Sequence, residues 1–392
     1  VKRAPALVLA LWAAAFALPV SIAAGNSALG LVLLAFFWRL RGADARARVW
    51  AAWRAEPALA AVAAYVAAGL LAGALGDGPA RSLGDSVKDA HRLVSLGLFV
   101  AVFALEPGAE PWAALAAGCS LAAVVGVGQA LRGLLAAGGL ERAHAFVHPV
   151  TFGEQMALAA LGGLCLLSRE RDGGRARGWA LAATALVGAA LVLSQTRAAL
   201  LAFGVGAAAA AWLEPRARRW AAAGVGLGAL GAIFGEWLRY GRAGFGAEVS
   251  ASGAASAQGT RYVLWDAAWR MFRDHPWTGV GPGHYLTAFP RYFSGTLEGQ
   301  SDWATAHNLY LHQLAERGVV GEAVLLTLFA VFLVRAWRAA RGSRPAALWA
   351  AAAVPAFLVM NATETAWQNE QFATLFLLVW AFGTARSGAE IL

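Results

Sequence analysis

Apolar residues run through this chain in blocks of about 17 to 25, long enough to cross a bilayer as helices, and short polar connections separate them. Allowing for short or broken runs, the blocks predict twelve membrane-spanning helices near residues 5–19, 21–38, 57–75, 92–106, 112–136, 150–168, 178–194, 198–213, 219–237, 318–337, 345–361 and 371–386. An even number of spans returns both ends of the chain to one side. The first run follows Lys2 and Arg3 and has the short core of a signal peptide. Because a second apolar run follows almost at once, it reads as an uncleaved first span. The expected fold class is an all-α polytopic membrane protein of about twelve transmembrane helices. Membrane helices occupy 1–237, one long polar segment with surface helices occupies 238–317, and three more membrane helices occupy 318–392.

Composition agrees with that division. Hydrophobic residues make up 59% of the 392 and charged residues only 14%, against roughly 25% in soluble domains. The net charge of +9 would suggest a nucleic-acid partner in a soluble protein, but here its placement decides otherwise. Nineteen Lys and Arg fall in connections on the side of the N-terminus, whereas the short connections opposite hold only Arg81, Lys88, Arg92, Arg132, Arg142 and Arg197. The bilayer is thus the expected partner, with both termini cytoplasmic, residues 238–317 outside, and no nucleic acid. Trp38, Trp112, Trp179, Trp220, Trp237 and Trp337 lie near span ends, as interfacial anchors do. Cys119 and Cys165 each lie inside an apolar run, so neither a disulfide framework nor a structural zinc site is expected.

The long outer segment is where chemistry is expected. Its first part, 241–259, is rich in Gly, Ala and Ser and reads as a loop. Over 260–272, Val263, Leu264, Ala267, Ala268 and Met271 keep helical spacing, and Pro276 closes the helix. Gly279, Gly281 and Gly283 form a turn whose spacing does not fit a phosphate loop. Tyr285, Phe289, Tyr292, Phe293 and Trp303 then supply either packing or a surface for stacking sugars. Leu311, Leu314 and Ala315 have the spacing of an amphipathic helix, and His307, Tyr310, Leu311 and Leu314 fall along one stripe of it, placing His307 at its start. Imidazole is the side chain that ordinarily changes charge near neutral pH, so His307 is the candidate base. The bland alternative is a histidine that only caps a carbonyl.

Several of these stretches resemble a known family. Gly259-Thr260-Arg261 with Trp265, the run from Asp274 to Gly283, Ala306-His307-Asn308-Leu309 and Glu316-Arg317-Gly318 are similar, in order and spacing, to the O-antigen ligase and polymerase superfamily of bacterial envelopes. Ser194-Gln195-Thr196-Arg197 resembles that family's Ser-x-x-Arg element, and the stretch from His148 to Gly153 resembles another, so the likeness covers roughly residues 145–325. The resemblance implies a GT-C-like glycosyltransferase of the inner (cytoplasmic) membrane that works at the periplasmic face without cofactor or metal. It would move a glycan from undecaprenyl diphosphate onto lipid A-core. It also implies an acidic residue near the last span, for which Glu364 and Glu370 are both candidates.

Glycosyl transfer from a diphosphate lipid requires a stabilised leaving group and an activated acceptor hydroxyl. Arg197 and Arg261, at outer helix ends, suit bidentate binding of the diphosphate. His307 suits the base, and direct attack would invert the anomeric carbon. Asn308, Tyr310, Arg142, His148 and His312 are further substrate-binding candidates. Within the same class an O-antigen polymerase or a protein O-oligosaccharyltransferase would use a similar donor, and a single His-Asn motif with one long outer segment favours the ligase. A secondary transporter is the reading from another class, but it would gather its ionisable groups at mid-membrane.

Overall fold

A computed structural model describes residues 5–76, 79–137, 140–169, 174–244, 257–297 and 303–385. Every regular element among them is an α-helix. In chain order these are α1 (Ala6–Ala17), α2 (Ile22–Arg39), α3 (Ala43–Ala55), α4 (Pro57–Leu75), α5 (Pro79–Leu105), α6 (Trp112–Ala137), α7 (Pro149–Arg169) and α8 (Arg175–Leu193). There follow α9 (Arg197–Leu213), α10 (Ala217–Gly244), α11 (Ala257–Asp274), α12 (Tyr285–Tyr292), α13 (Leu309–Ala339), α14 (Pro345–Thr363) and α15 (Glu370–Thr384).

Each of the twelve predicted runs overlaps a helix among the described residues, in some cases only part of a longer one. Among the described residues, seven helices, α2, α4, α6, α7, α8, α13 and α14, are long and apolar enough by length and composition to cross a membrane. The others are short, such as α1, whose 12 residues reach only about 18 Å, or carry charge in one half, as α5 does. Helix α3 is an addition that hydropathy did not predict, being short and rich in arginine. The loop expected over 241–259 lies mostly outside the described residues, and its flanks, 241–244 and 257–259, are helical.

Helix starts are marked by the residues that satisfy free backbone N–H groups. Ser21 accepts from Ala24 N, and Glu56 accepts from Ala58 N ahead of Pro57 at the first helical position. Asn369 caps α15 through Phe372 N. At the arginine-rich end, side chains also satisfy carbonyls at and just past helix C-termini: Arg169 donates to the carbonyls of Ala340, Gly342 and Arg344, and Arg344 to those of Phe382 and Ala385. Two of the arginines counted on that side, Arg169 and Arg344, therefore tie helices together.

Helices α7, α14 and α15 form the centre of the bundle, buried almost all round. Close approach depends on small residues: a Cβ on Gly206 would lie 2.9 Å from the Ala352 carbonyl, and one on Gly383 would lie 2.5 Å from the Ala346 carbonyl. Trp112 stacks on Trp349 at 4.7 Å within the bundle, whereas Trp38 and Trp179 are exposed. Side-chain placement of Trp237 lies outside the described residues. Cys119 and Cys165 are both buried and free.

A second, smaller core sits at the other end, where Leu264, Ala267, Ala268 and Met271 of α11 meet Tyr285 and Phe289 of α12 and Ala315 of α13. Here α13 is interrupted at Gly318, whose φ of 61° and ψ of −167° are not helical. The break frees the carbonyls of Ala315 and Glu316 to accept from Val280 N and Gly281 N, while Val319 N donates to Pro276. Gly279 and Gly318, both at positive φ, lie so close to the facing backbone that a Cβ on either would come within 2.3 Å of it. The glycine turn and the Glu316-Arg317-Gly318 stretch are thus two halves of one joint.

Candidate functional site

His307 and Asn308 lie just before α13. Asn308 is the N-cap, its Oδ1 accepting from Leu311 N at 3.1 Å. His307 therefore sits off the helix, at φ 48°, and not on the amphipathic stripe that spacing suggested. Left-handed backbone is uncommon for a residue other than glycine and needs surroundings that hold it. Those surroundings come from α14: Leu309 N donates to the Glu364 carbonyl at 3.1 Å, joining the start of one helix to the end of the other.

The Glu364 side chain completes the site. One carboxylate oxygen, Oε2, lies 2.7 Å from His307 Nδ1 and the other, Oε1, accepts from Arg261 Nη2 at 2.6 Å. Arg261 projects from the first turns of α11, so three separate elements meet at one carboxylate. Glu364 is 11% exposed, whereas His307 and Arg261 are 35% and 37% exposed and can be reached from outside. Trp303 meets the imidazole edge-on at 5.9 Å. Of the two acidic candidates, Glu364 is the one joined to His307.

Beside this cluster, the turn between α8 and α9 is built against the start of α7. Arg142 donates to the Ser194 carbonyl and to Thr196 Oγ1, and Thr196 Oγ1 donates to the Pro149 carbonyl. His148, immediately before α7, lies within electrostatic reach of Arg142, His307 and Glu364. Burial pushes its imidazole down from the ordinary histidine range, Arg142 and His307 add to this, and Glu364 opposes it. Arg197 is exposed at the first position of α9. Among the described residues, the other non-glycine positions at positive φ, Ala145 and Gln195, belong to this same end of the bundle.

The remaining candidates make their contacts within the protein. Tyr310 donates to the Leu358 carbonyl at 2.9 Å and packs edge-on against Phe329. His312 is buried, with Nε2 3.3 Å from Glu316 Oε2 and its ring against Tyr285. Tyr285 and Phe289 lie in the smaller core; burial pushes the Tyr285 phenol up, and its hydroxyl donates to Leu264.

Sequence reasoning missed a buried charged network. Asp89 accepts from Arg92 at 2.5 Å and from Arg317; Arg92 also donates to the Trp367 carbonyl, and the Arg317 guanidinium lies over the Tyr65 ring. Arg92 had the position of an outer-connection charge, yet it is 3% exposed.

Residues 181–326 match the family model described as O-antigen ligase. No curated protein matches the chain. The O-antigen ligase match takes in the Ser194–Arg197 turn, α11, the glycine turn, His307 and Gly318, and it agrees with the family suggested by the motifs. It ends before α14, so Glu364 lies after it, while Arg142 and His148 precede its start.

Proposed function

We propose that the chain is an O-antigen ligase that transfers a glycan from undecaprenyl diphosphate to lipid A-core at the periplasmic face of the bacterial inner membrane. The observation that carries this reading is the contact of His307 with a Glu364 carboxylate that also holds Arg261, at the open end of an O-antigen ligase domain. A carboxylate only accepts, so the hydrogen on the facing ring nitrogen belongs to Nδ1, which leaves the lone pair on Nε2. The acceptor hydroxyl then gives its proton to Nε2 as its oxygen attacks the anomeric carbon, the bond to the diphosphate breaks, and configuration inverts. Glu364 stabilises the imidazolium formed in that step.

Arg261 places one nitrogen on Glu364 and has further N–H donors in its fork for a phosphate oxygen. Arg197 is the second proposed diphosphate ligand, and His148 and Arg142 border the acceptor side. In this reading the bundle is GT-C-like, crosses the membrane twelve times and keeps both termini in the cytoplasm.

The test is reconstitution of the full chain with undecaprenyl-diphosphate glycan and lipid A-core, scored for a lipid product of higher mass. Transfer is expected from wild type and not from a folded, membrane-inserted His307→Ala. A product built on the lipid-linked glycan in place of lipid A-core would show a polymerase.

A further inference from the structure

Glu370, the acidic candidate that His307 does not use, lines a separate cavity of about 200 Å³. Its walls come from α5, from Pro282 and Gly283 of the glycine turn, from the outer half of α13 and from Gln368 and Glu370 before and at the start of α15. It lies at the same end as His307. The segment 364–370 carries Glu364 at one end and Gln368 and Glu370 at the other, and His312 to Arg317 lie about 6 to 13 Å along α13 from Asn308.

The lining is polar but nearly balanced in charge. Asp85, Asp89, Glu316 and Glu370 face Lys88, Arg92 and Arg317, with His312 against Glu316. Lys88 pairs with Asp85, and Asp89 with both arginines, so no uncompensated positive patch awaits an anion. Among the described residues no cluster of His, Cys, Asp and Glu could hold a metal ion. Yet the wall is not fully satisfied. His312, 2% exposed, leaves Nδ1 without a partner, and Arg317, 4% exposed, leaves Nε without one. Buried polar atoms in that state call for a ligand or water that both donates and accepts. The cavity is smaller than the 300 Å³ or so of a drug-sized site, which leaves room for one ring and not an oligosaccharide.

We infer that this cavity is a subsite for a neutral, hydroxyl-rich pyranose ring of one of the two glycan substrates, held by the paired carboxylates and cations. The inference rests on the glycosyltransferase reading and adds a second contact point to it, away from the reacting atoms. Lys88 and Glu370 are exposed at the mouth and can be changed without opening the buried network.

Two measurements test it. In the reconstituted reaction, Glu370→Gln and the double variant Lys88→Gln/Glu370→Gln are expected to raise KM for one glycan substrate about tenfold, the loss of one hydrogen bond to a charged group, with little change in kcat. In nanodiscs, saturation-transfer NMR with a panel of methyl pyranosides is expected to show binding to wild type and to His307→Ala, and loss of that binding in the double variant. Inorganic phosphate should not compete. Unchanged KM for both substrates, competition by phosphate, or a fall in kcat alone would overturn the subsite. If the pyranosides bind as described but wild type transfers nothing, the proposed function fails while the cavity assignment stands.

Discussion

Replacing Glu364 by glutamine tests the site at its most connected atom. The amide keeps the size of the side chain, and the Leu309 N–H bond to the 364 carbonyl is backbone, so the junction of α13 and α14 is preserved. Arg261 offers only donors, so the amide oxygen must face it and the amide N–H must face His307. That orientation makes Nδ1 an acceptor and moves the ring hydrogen to Nε2, the nitrogen that has to take the acceptor's proton. Losing one charge-assisted hydrogen bond costs about 1.5–3 kcal/mol, or roughly ten- to a hundredfold in rate. Losing the base altogether costs about 10²- to 10⁴-fold. The expected fall in kcat therefore lies between about 10² and 10⁴, with KM for donor and acceptor little changed. Initial rates of glycan transfer in proteoliposomes, with melting temperature measured alongside, give both quantities. Glu106→Gln, which likewise removes the charge of a carboxylate that accepts from an arginine, Arg39, but away from the site, is the control. Wild-type kcat in a folded Glu364→Gln protein would refute the assignment of His307 as a base oriented by this carboxylate.

Lysine keeps the charge of arginine but loses its planar fork, so Arg197→Lys and Arg261→Lys should each lose most transfer activity while Arg81→Lys on α5 does not; a clamp variant with wild-type rate and donor affinity removes that residue from the diphosphate site. A phosphatase fused within residues 257–297 should be active and a cytoplasmic reporter at the same point silent, and the reverse pattern would invert the proposed topology. At Gly318, alanine must adopt φ 61° and place its Cβ 2.3 Å from the Trp277 carbonyl carbon, so Gly318→Ala should lose roughly 1–3 kcal/mol or more and melt at lower temperature. An unchanged melting curve would mean that the joint can open without cost.

Much of the scaffold was legible because hydropathy reports burial in lipid or in the bundle directly. The run 57–75 became Pro57–Leu75, and 112–136 became Trp112–Ala137. Helix α3 escaped because its arginines and its 13 residues keep it below any span criterion. His307 was legible as a residue through the His-Asn stretch, but its backbone was not: periodicity extends a helical stripe backwards through Asn308, whereas the cap ends the helix there. Glu364 was visible as a carboxylate at the end of an apolar run, yet nothing local separates it from Glu370. The distinction comes from a contact spanning 57 residues, which only the docking of α14 on α13 creates. Arg92 was misleading and Arg317 silent for the same reason, since Arg92 meets the Trp367 carbonyl across 275 residues and Arg317 meets Asp89 across 228.

The break at Gly318 makes the outer half of α13 a ruler. From Leu309 to Arg317 the helix measures about 13 Å, anchored at one end by the Asn308 cap and the Glu364 carbonyl and at the other by the glycine turn. One inserted residue would lengthen it by only about 1.5 Å but rotate one anchor against the other by about 100°. His312, Glu316 and Arg317 would then face lipid or solvent while His307 still met its carboxylate. Any chain that keeps this joint must keep the number of residues between His307 and Gly318, even where the side chains between them vary.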